Sequence, residues 1–382
     1  MRHFKRMQTF KGRGNESCFL WGPRQVGKTT LLLELFPNSP RYNLLLASEA
    51  RRLSTNPSLM RQELLATPPG LSPVIIDEVQ KVPELIDEAQ ALIVENQMQF
   101  ILCGSSARKL KRQGANLLGG RALRFELFPL VYPEINDFDL LRAINHGLMP
   151  RHYISEKPMD LLEAYVGEYL KEEIVAEALV RNVPAFSRFL EVAAFSDGEV
   201  INYSNIAKEC GVSNPTVKEY FQILEDTLLA RFMPSFRKRP KRRVIESPKF
   251  YYFDIGISNF LLKRGNIVPR TELFGKAFEH FIFQELMAHS HYSGTKYPIT
   301  YWRTTSQLEV DFILGDHEIA LEVKSADKVN SHHFKGLEAF AEEYTTKHSI
   351  LVSMEEKPRK VNNILVLPWR IFLERLWSNE LI

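Results

Sequence analysis

Between residues 17 and 130 short apolar runs alternate with amphipathic stretches: Cys18 to Trp21, Tyr42 to Leu46, Val74 to Ile76, Phe100 to Cys103 and Leu123 to Leu127. Runs of that length, separated by helical patterns, predict the buried strands of a parallel α/β sheet. From Leu161 to Phe195 the apolar residues instead recur three and four apart, which predicts an all-helical connector. Residues 199 to 262 read as helix, turn, helix and then a basic hairpin-like segment; from Leu273 a helix leads back into strands. The pattern divides the chain at 1–135, 136–198, 199–262 and 263–382.

In the third block Ile206, Ala207 and Cys210 share one helical face, Gly211 supplies a turn, and Ser213 caps a second helix with Pro215 in its first turn. Val217, Phe221 and Leu224 line the buried side of that helix. Asn214, Thr216, Lys218 and Glu219 then face outward, where the recognition helix of a winged helix-turn-helix meets base edges.

Charged residues at 25% and hydrophobic ones at 45% describe a folded chain, and no stretch approaches the roughly 20 apolar residues of a membrane helix. The reading is a cytoplasmic protein with no membrane partner. Cys18, Cys103 and Cys210 are isolated among apolar or small residues, so they predict reduced core thiols and neither a disulfide nor a zinc site. Net charge is +3, yet the window from Arg237 to Arg243 alone contributes +6. Basicity this local attracts phosphate, so the segment is a candidate wing on a nucleic-acid backbone.

Candidate chemistry concentrates at two places. Gly22-Pro23-Arg24-Gln25-Val26-Gly27-Lys28-Thr29 fits GxxxxGK[ST] between an apolar strand and a helical pattern. The loop, continued by Thr30, would cradle the phosphates of ATP with its backbone amides; Lys28 would reach the β- and γ-phosphates and Thr29 would ligate Mg²⁺. Val74-Ile75-Ile76-Asp77-Glu78 is a buried strand ending in two acids: Asp77 would hold the metal through water and Glu78 would orient and deprotonate the attacking water. Ser105, or its neighbour Ser106, would sense the γ-phosphate if the strand before it lies between the other two. Arg121 and Arg108 are candidate charge stabilisers, Arg121 open to a role in its own chain, in a second copy or in neither.

GPRQVGKTT, VIIDEVQKVP, FILCGSSARKLK and LLGGR together resemble the bacterial and archaeal AAA-type ATPases whose C-terminal half is a DUF4143 domain. The resemblance continues through INYSNIAKECGVSNPTVKEYFQILEDT and PKFYYFDIGISNFL to YWRTTSQLEVDFIL and LEVKS, nearly the whole chain. It implies a P-loop ATPase domain, a winged-helix segment and a nuclease-like C-terminus.

The second place is the hairpin at that C-terminus. Leu308, Val310, Phe312 and Leu314 alternate with Glu309 and Asp311; after a loop at Asp316 and His317, Ile319, Leu321 and Val323 alternate with Glu322 and Lys324. Matching the apolar faces sets Asp311 opposite Glu322 and Glu309 opposite Lys324. Facing carboxylates repel unless a hard cation, Mg²⁺ or Mn²⁺, takes their oxygens. Glu279 on the preceding helix would complete the shell and Lys324 would activate a water, an arrangement similar to PD-(D/E)xK nucleases. The expected function is an ATPase that binds DNA and couples nucleotide state to this site, with self-association a further partner class. The alternative is a nucleotide-dependent switch or scaffold with a silent nuclease fold.

Overall fold

The computed structural model describes residues 3–68, 73–105, 118–170, 182–238 and 242–382. They form two compact units, one made of Lys5–Pro129 with Asp226–Leu229 and the other of the remainder.

The first unit is built on five parallel strands: β1 (Ser17–Trp21), β2 (Arg41–Asn43), β3 (Val74–Asp77), β4 (Phe100–Gly104) and β5 (Ala122–Glu126), in the order β2-β3-β4-β1-β5. Every residue of β1, β3 and β4 is buried, as strands covered on both faces require. Phe19, Trp21, Ile76, Leu92 and Leu102 pack in one core there. β2 is shorter than its apolar run because the Asn43 side chain accepts the Leu45 N–H at 3.0 Å and turns the chain. Leu45 and Leu46 are consequently exposed.

The second unit starts with helices and then sets helices Val183–Ala194, Tyr203–Cys210 and Asn214–Asp226 against a small sheet of β6 (Glu199–Val200), β7 (Ala230–Met233) and β8 (Lys249–Tyr252), ordered β6-β8-β7. Gly211 closes the first helix of the turn in left-handed backbone (φ 67°), and Ile206, Ala207, Cys210, Val217, Phe221 and Leu224 are all buried as the spacing predicts. A six-stranded sheet follows: β9 (Ile299–Arg303), β10 (Glu309–Leu314), β11 (Ile319–Val323), β12 (His348–Ser353), β13 (Arg359–Val361) and β14 (Ile364–Pro368), ordered β13-β14-β12-β11-β10-β9. Phe278 and Phe281 of helix Glu272–Tyr292 cover one face with Phe312, Leu321 and Val352. Leu337 and Phe340 of helix Lys335–Ala341 cover the other with Trp302, Val310 and Ala320.

The connector, the helix-turn-helix and this sheet belong to the one compact unit. Buried polar groups tie them. Asp254 accepts from the N–H of Leu148 at 2.6 Å and of Gly256 at 2.9 Å, and a Cβ on Gly147 would lie 2.1 Å from its Oδ1. Glu285 accepts from the Tyr132 N–H at 2.9 Å and from Trp377 Nε1 at 2.7 Å. Burial pushes the Glu285 carboxyl up to about 8 from an ordinary 4.5, against the pull of those donors. A raised folded value means the proton stabilises the folded state; that contribution is full below the ordinary value and is lost as pH rises through about 8. Glu285→Gln is expected to flatten the fall in urea midpoint between these two limits, and an unaltered slope would remove Glu285 from the account.

The described ends of the basic segment are tied to the rest of their unit. The segment's flanks run along the edge strand β9: the Phe236 N–H donates to the Tyr301 carbonyl at 2.7 Å and the Ile245 N–H to that of Arg303 at 2.9 Å. An open sheet edge offers unpaired backbone groups, and this segment takes them. Lys238 pairs with Asp316 at 2.5 Å, Arg242 with Glu343 at 2.6 Å and also with Glu342, and Arg237 donates to the Glu246 carbonyl at 2.7 Å. Residues 239–241 lie outside the described set, as do Ser106 and Arg108. The three cysteines are buried free thiols. Among the described residues no helix is long and apolar enough to cross a membrane.

Candidate functional site

At the carboxyl end of β1 the loop from Gly22 to Gly27 delivers the helix Lys28–Leu35 with its N-terminus toward the strand ends, the arrangement that binds phosphate. Gly27 stands before that helix at φ 99°, a backbone L-residues rarely adopt, and a Cβ on Gly22 would lie 2.5 Å from the Leu127 carbonyl. Only glycine fits either place. Lys28 is buried and donates to the carbonyls of Gly22 at 2.6 Å and Pro23 at 3.0 Å, curling the loop around its own ammonium. Arg6 holds the loop from outside, donating to the carbonyls of Val26 and Phe128, each at 2.6 Å.

Asp77 ends β3 two strands from β1, and Thr29 Oγ1 donates to its Oδ2 at 2.6 Å. Among the described residues the buried Asp77 Oδ1 has no hydrogen-bond partner. Glu78 follows in left-handed backbone (φ 59°) with its side chain buried. The strand carrying Ser105 lies between β1 and β3, the condition that the sequence argument set for it. Ser105 Oγ is 3.4 Å from Glu78 Oε2, and Gln80, absent from the sequence expectation, donates from Nε2 to both Glu78 Oε2 and Ser105 Oγ, the latter at 3.1 Å.

Arg121 is placed elsewhere. It directly precedes β5, whose first residue pairs with the first residue of β1, whereas the phosphate loop leaves the far end of β1. The two positions are a five-residue strand apart, roughly 16 Å at about 3.3 Å per residue. Arg121 is therefore no part of its own chain's phosphate site, which leaves a role toward a second copy or none.

In the acidic hairpin the register is the expected one where β10 and β11 pair, with Phe312 opposite Leu321 and Leu314 opposite Ile319. The single apolar face is not. Pairing of β10 with β9 slips between Val310 and Ile313, so Leu308 and Val310 pack with Phe340 while Phe312 and Leu314 pack on the opposite face. A bulge adds one residue and reverses the alternation on either side of it. The ladder with β11 ends before Glu309, so Glu309 does not meet Lys324.

Glu309 instead meets Lys249, whose Nζ is 2.7 Å from its carboxylate and 3.1 Å from that of Glu279. Lys249 is 2% exposed and comes from β8, outside the hairpin altogether. Tyr251 also donates to Glu279, at 2.9 Å. Burial pulls the Lys249 ammonium down, but Glu279 and Glu309 outweigh it and hold the group well above its ordinary value. Lys324 serves the other two acids: its Nζ is 2.5 Å from Glu322 and 3.9 Å from Asp311. Asp311 Oδ2 accepts the Val323 N–H at 2.8 Å, and among the described residues the buried Glu322 Oε2 has no partner. Burial, with Asp311 beside it, pushes the Glu322 carboxyl up to about 8. Among the described residues no three His, Cys, Asp or Glu are grouped to hold a metal ion as they stand; lysines neutralise the carboxylates pairwise. The site is closed from the opposite face by Gly336, where a Cβ would lie 1.8 Å from the Glu309 carbonyl.

Lys249 and Gly336 escaped the sequence reading. A lysine inside the apolar strand Lys249-Phe250-Tyr251-Tyr252 was the available signal, since a buried ammonium needs carboxylate partners. Nothing local marks Gly336.

Residues 14–136 match the model of an AAA domain, residues 137–267 that of a domain of unknown function (DUF8612), and residues 274–372 that of another (DUF4143). An uncharacterized protein of Mycobacterium tuberculosis is 26% identical over 317 residues, covering 80% of this chain and 69% of the relative. One from Haemophilus influenzae is 23% identical over 284 residues, covering 69% of this chain and 68% of its own. Among solved structures, a Walker-type ATPase of Pyrococcus abyssi aligns with a TM-score of 0.42 at 15% identity, over 64% of this chain and 90% of that one. The Aeropyrum pernix ORC1 protein in complex with DNA aligns at 0.25 and 12% identity, over 65% and 86%. With the phosphate loop, the acid-tipped strand and the C-terminal sheet in place, the chain joins an AAA domain over residues 14–136 to a DUF4143 domain over residues 274–372.

Proposed function

We propose that this protein binds and hydrolyses ATP with Mg²⁺, engages DNA through its helix-turn-helix, and uses nucleotide state to control the nuclease-like C-terminal site. The observation that carries hydrolysis is the Thr29 to Asp77 contact at 2.6 Å beside the partnerless, buried Asp77 Oδ1. A hydroxyl and a carboxylate with an unspent buried oxygen suit a hydrated hard cation. Thr29 and Asp77 would hold Mg²⁺, which when bound offsets charge on the β- and γ-phosphates. Lys28 exchanges its two loop carbonyls for phosphate oxygens, and Glu78 accepts the proton of the attacking water.

Support for DNA contact lies in the exposed Asn214, Lys218 and Glu219 on the outer side of the second helix, with Thr216 half-buried between them. Arg237, Lys238 and Arg242 of the basic segment are paired with acids of their own chain, so phosphate at these residues would have to displace Glu246, Asp316, Glu342 or Glu343. The second reading, a switch with a silent nuclease fold, is favoured by Lys249, which neutralises Glu279 and Glu309 and draws Glu279 out of a metal shell.

One experiment separates them. In nucleotide-free protein bearing Lys28→Ala, Mn²⁺ or Mg²⁺ held by Asp311 and Glu322 raises the melting temperature; at a hundredfold excess over Kd the gain is about 2.7 kcal/mol. Asp311→Asn should remove it. DNA cleavage that Lys324→Ala abolishes at unchanged DNA affinity supports the nuclease-like reading; metal binding without cleavage, with and without ATP, supports the switch.

A further inference from the structure

The hydrolytic reading leaves one buried side chain beside Glu78 without a role. Gln80 is 3% exposed, and its amide nitrogen reaches both Glu78 Oε2 and Ser105 Oγ. Its two acceptors directly follow β3 and β4, which lie side by side on one side of β1. The molecule makes room for it: a Cβ on Gly104 would lie 2.5 Å from Gln80 Oε1 and 2.8 Å from the Trp21 ring. Any side chain at 104 would expel the amide. Glu78 itself sits in left-handed backbone (φ 59°), which a non-glycine residue adopts only where its surroundings hold it there.

We propose that Gln80 is the positioning residue of the ATPase site, fixing the Glu78 carboxylate through Oε2 so that Oε1 is the oxygen presented to water. Among the described residues both contacts to the Glu78 carboxylate, from the amide and from the serine hydroxyl, fall on Oε2. By holding Ser105 with the same nitrogen, Gln80 links the base to the strand tip that would sense the γ-phosphate, so the two respond together.

This inference rests on Glu78 as base, and its test keeps the two apart. Steady-state ATP hydrolysis is measured with the full chain for Gln80→Met, which keeps the length and removes the amide, alongside Glu78→Gln and the unmodified protein. Gln80→Met is expected to lower kcat at least tenfold while KM and nucleotide affinity stay within twofold. A structural role alone would raise KM, weaken nucleotide affinity or lower the melting temperature, with no separate loss of kcat. Gly104→Ala and Ser105→Ala provide the second route: Gly104→Ala should reproduce the kcat loss by displacing the amide, and Ser105→Ala should lose less. If Glu78→Gln abolishes turnover but Gln80→Met and Gly104→Ala both retain it, the positioning role is overturned and the base stands; if Glu78→Gln retains turnover, the base assignment fails first.

Discussion

Glu78→Gln is expected to reduce ATP turnover by roughly 100- to 10,000-fold, the usual contribution of a positioned general base, and to leave nucleotide affinity nearly unchanged. The amide keeps the size of the carboxylate and its buried place but cannot accept the proton of water. Because Thr29 and Asp77 bind each other at 2.6 Å without help from Glu78, the metal-holding pair and the Lys28 loop survive the change. The measurement is a pair: single-turnover hydrolysis and equilibrium binding of a fluorescent ATP analogue. An interaction made chiefly in the chemical step lowers kcat with kcat/KM, so loss of binding instead would move Glu78 from chemistry to architecture.

Lys249→Met is expected to cost about 3–5 kcal/mol, the range for removing one partner of a buried ion pair. The loss is large because two carboxylates depend on one ammonium that is 2% exposed. Glu279 loses a counter-ion in a place where burial already holds its carboxyl above the ordinary range. Adding Glu279→Gln to Lys249→Met should recover part of the stability, since the remaining mismatch is then Glu309 alone, which keeps Arg303 at 3.5 Å. Chemical unfolding of Lys249→Met, of Glu279→Gln and of the two combined measures the coupling. A single-variant loss below about 1 kcal/mol would mean that water reaches Lys249, as for a surface pair.

Much of the ATPase half was legible because its signals are local. The strand, glycine loop, lysine and threonine lie within thirteen residues, Cys18 to Thr30, and their geometry follows from strand-to-helix connection in a parallel sheet. Arg121 marks the limit of that legibility: its neighbourhood reads as a glycine turn before a strand, and only the parallel pairing of β5 with β1 places it at the opposite end from the phosphates. The hairpin register was also readable from its loop, but the bulge in β10 was not, because it arises from pairing with β9 and not from anything in Glu309–Leu314.

By itself the sequence determined the parallel sheet and phosphate loop, the helix-turn-helix with its buried Ile206, Val217 and Phe221, and the facing strands that carry Asp311 and Glu322. These follow from periodicity and spacing, which are properties of neighbours along the chain. Tertiary structure alone decided how the charges are met. Gln80 meets Ser105 from 25 positions away, Lys249 meets Glu279 across 30 positions, and Lys238 pairs with Asp316 across 78. A buried charge must find a partner wherever the fold brings one within about 3 Å, and no local pattern records which strand will supply it.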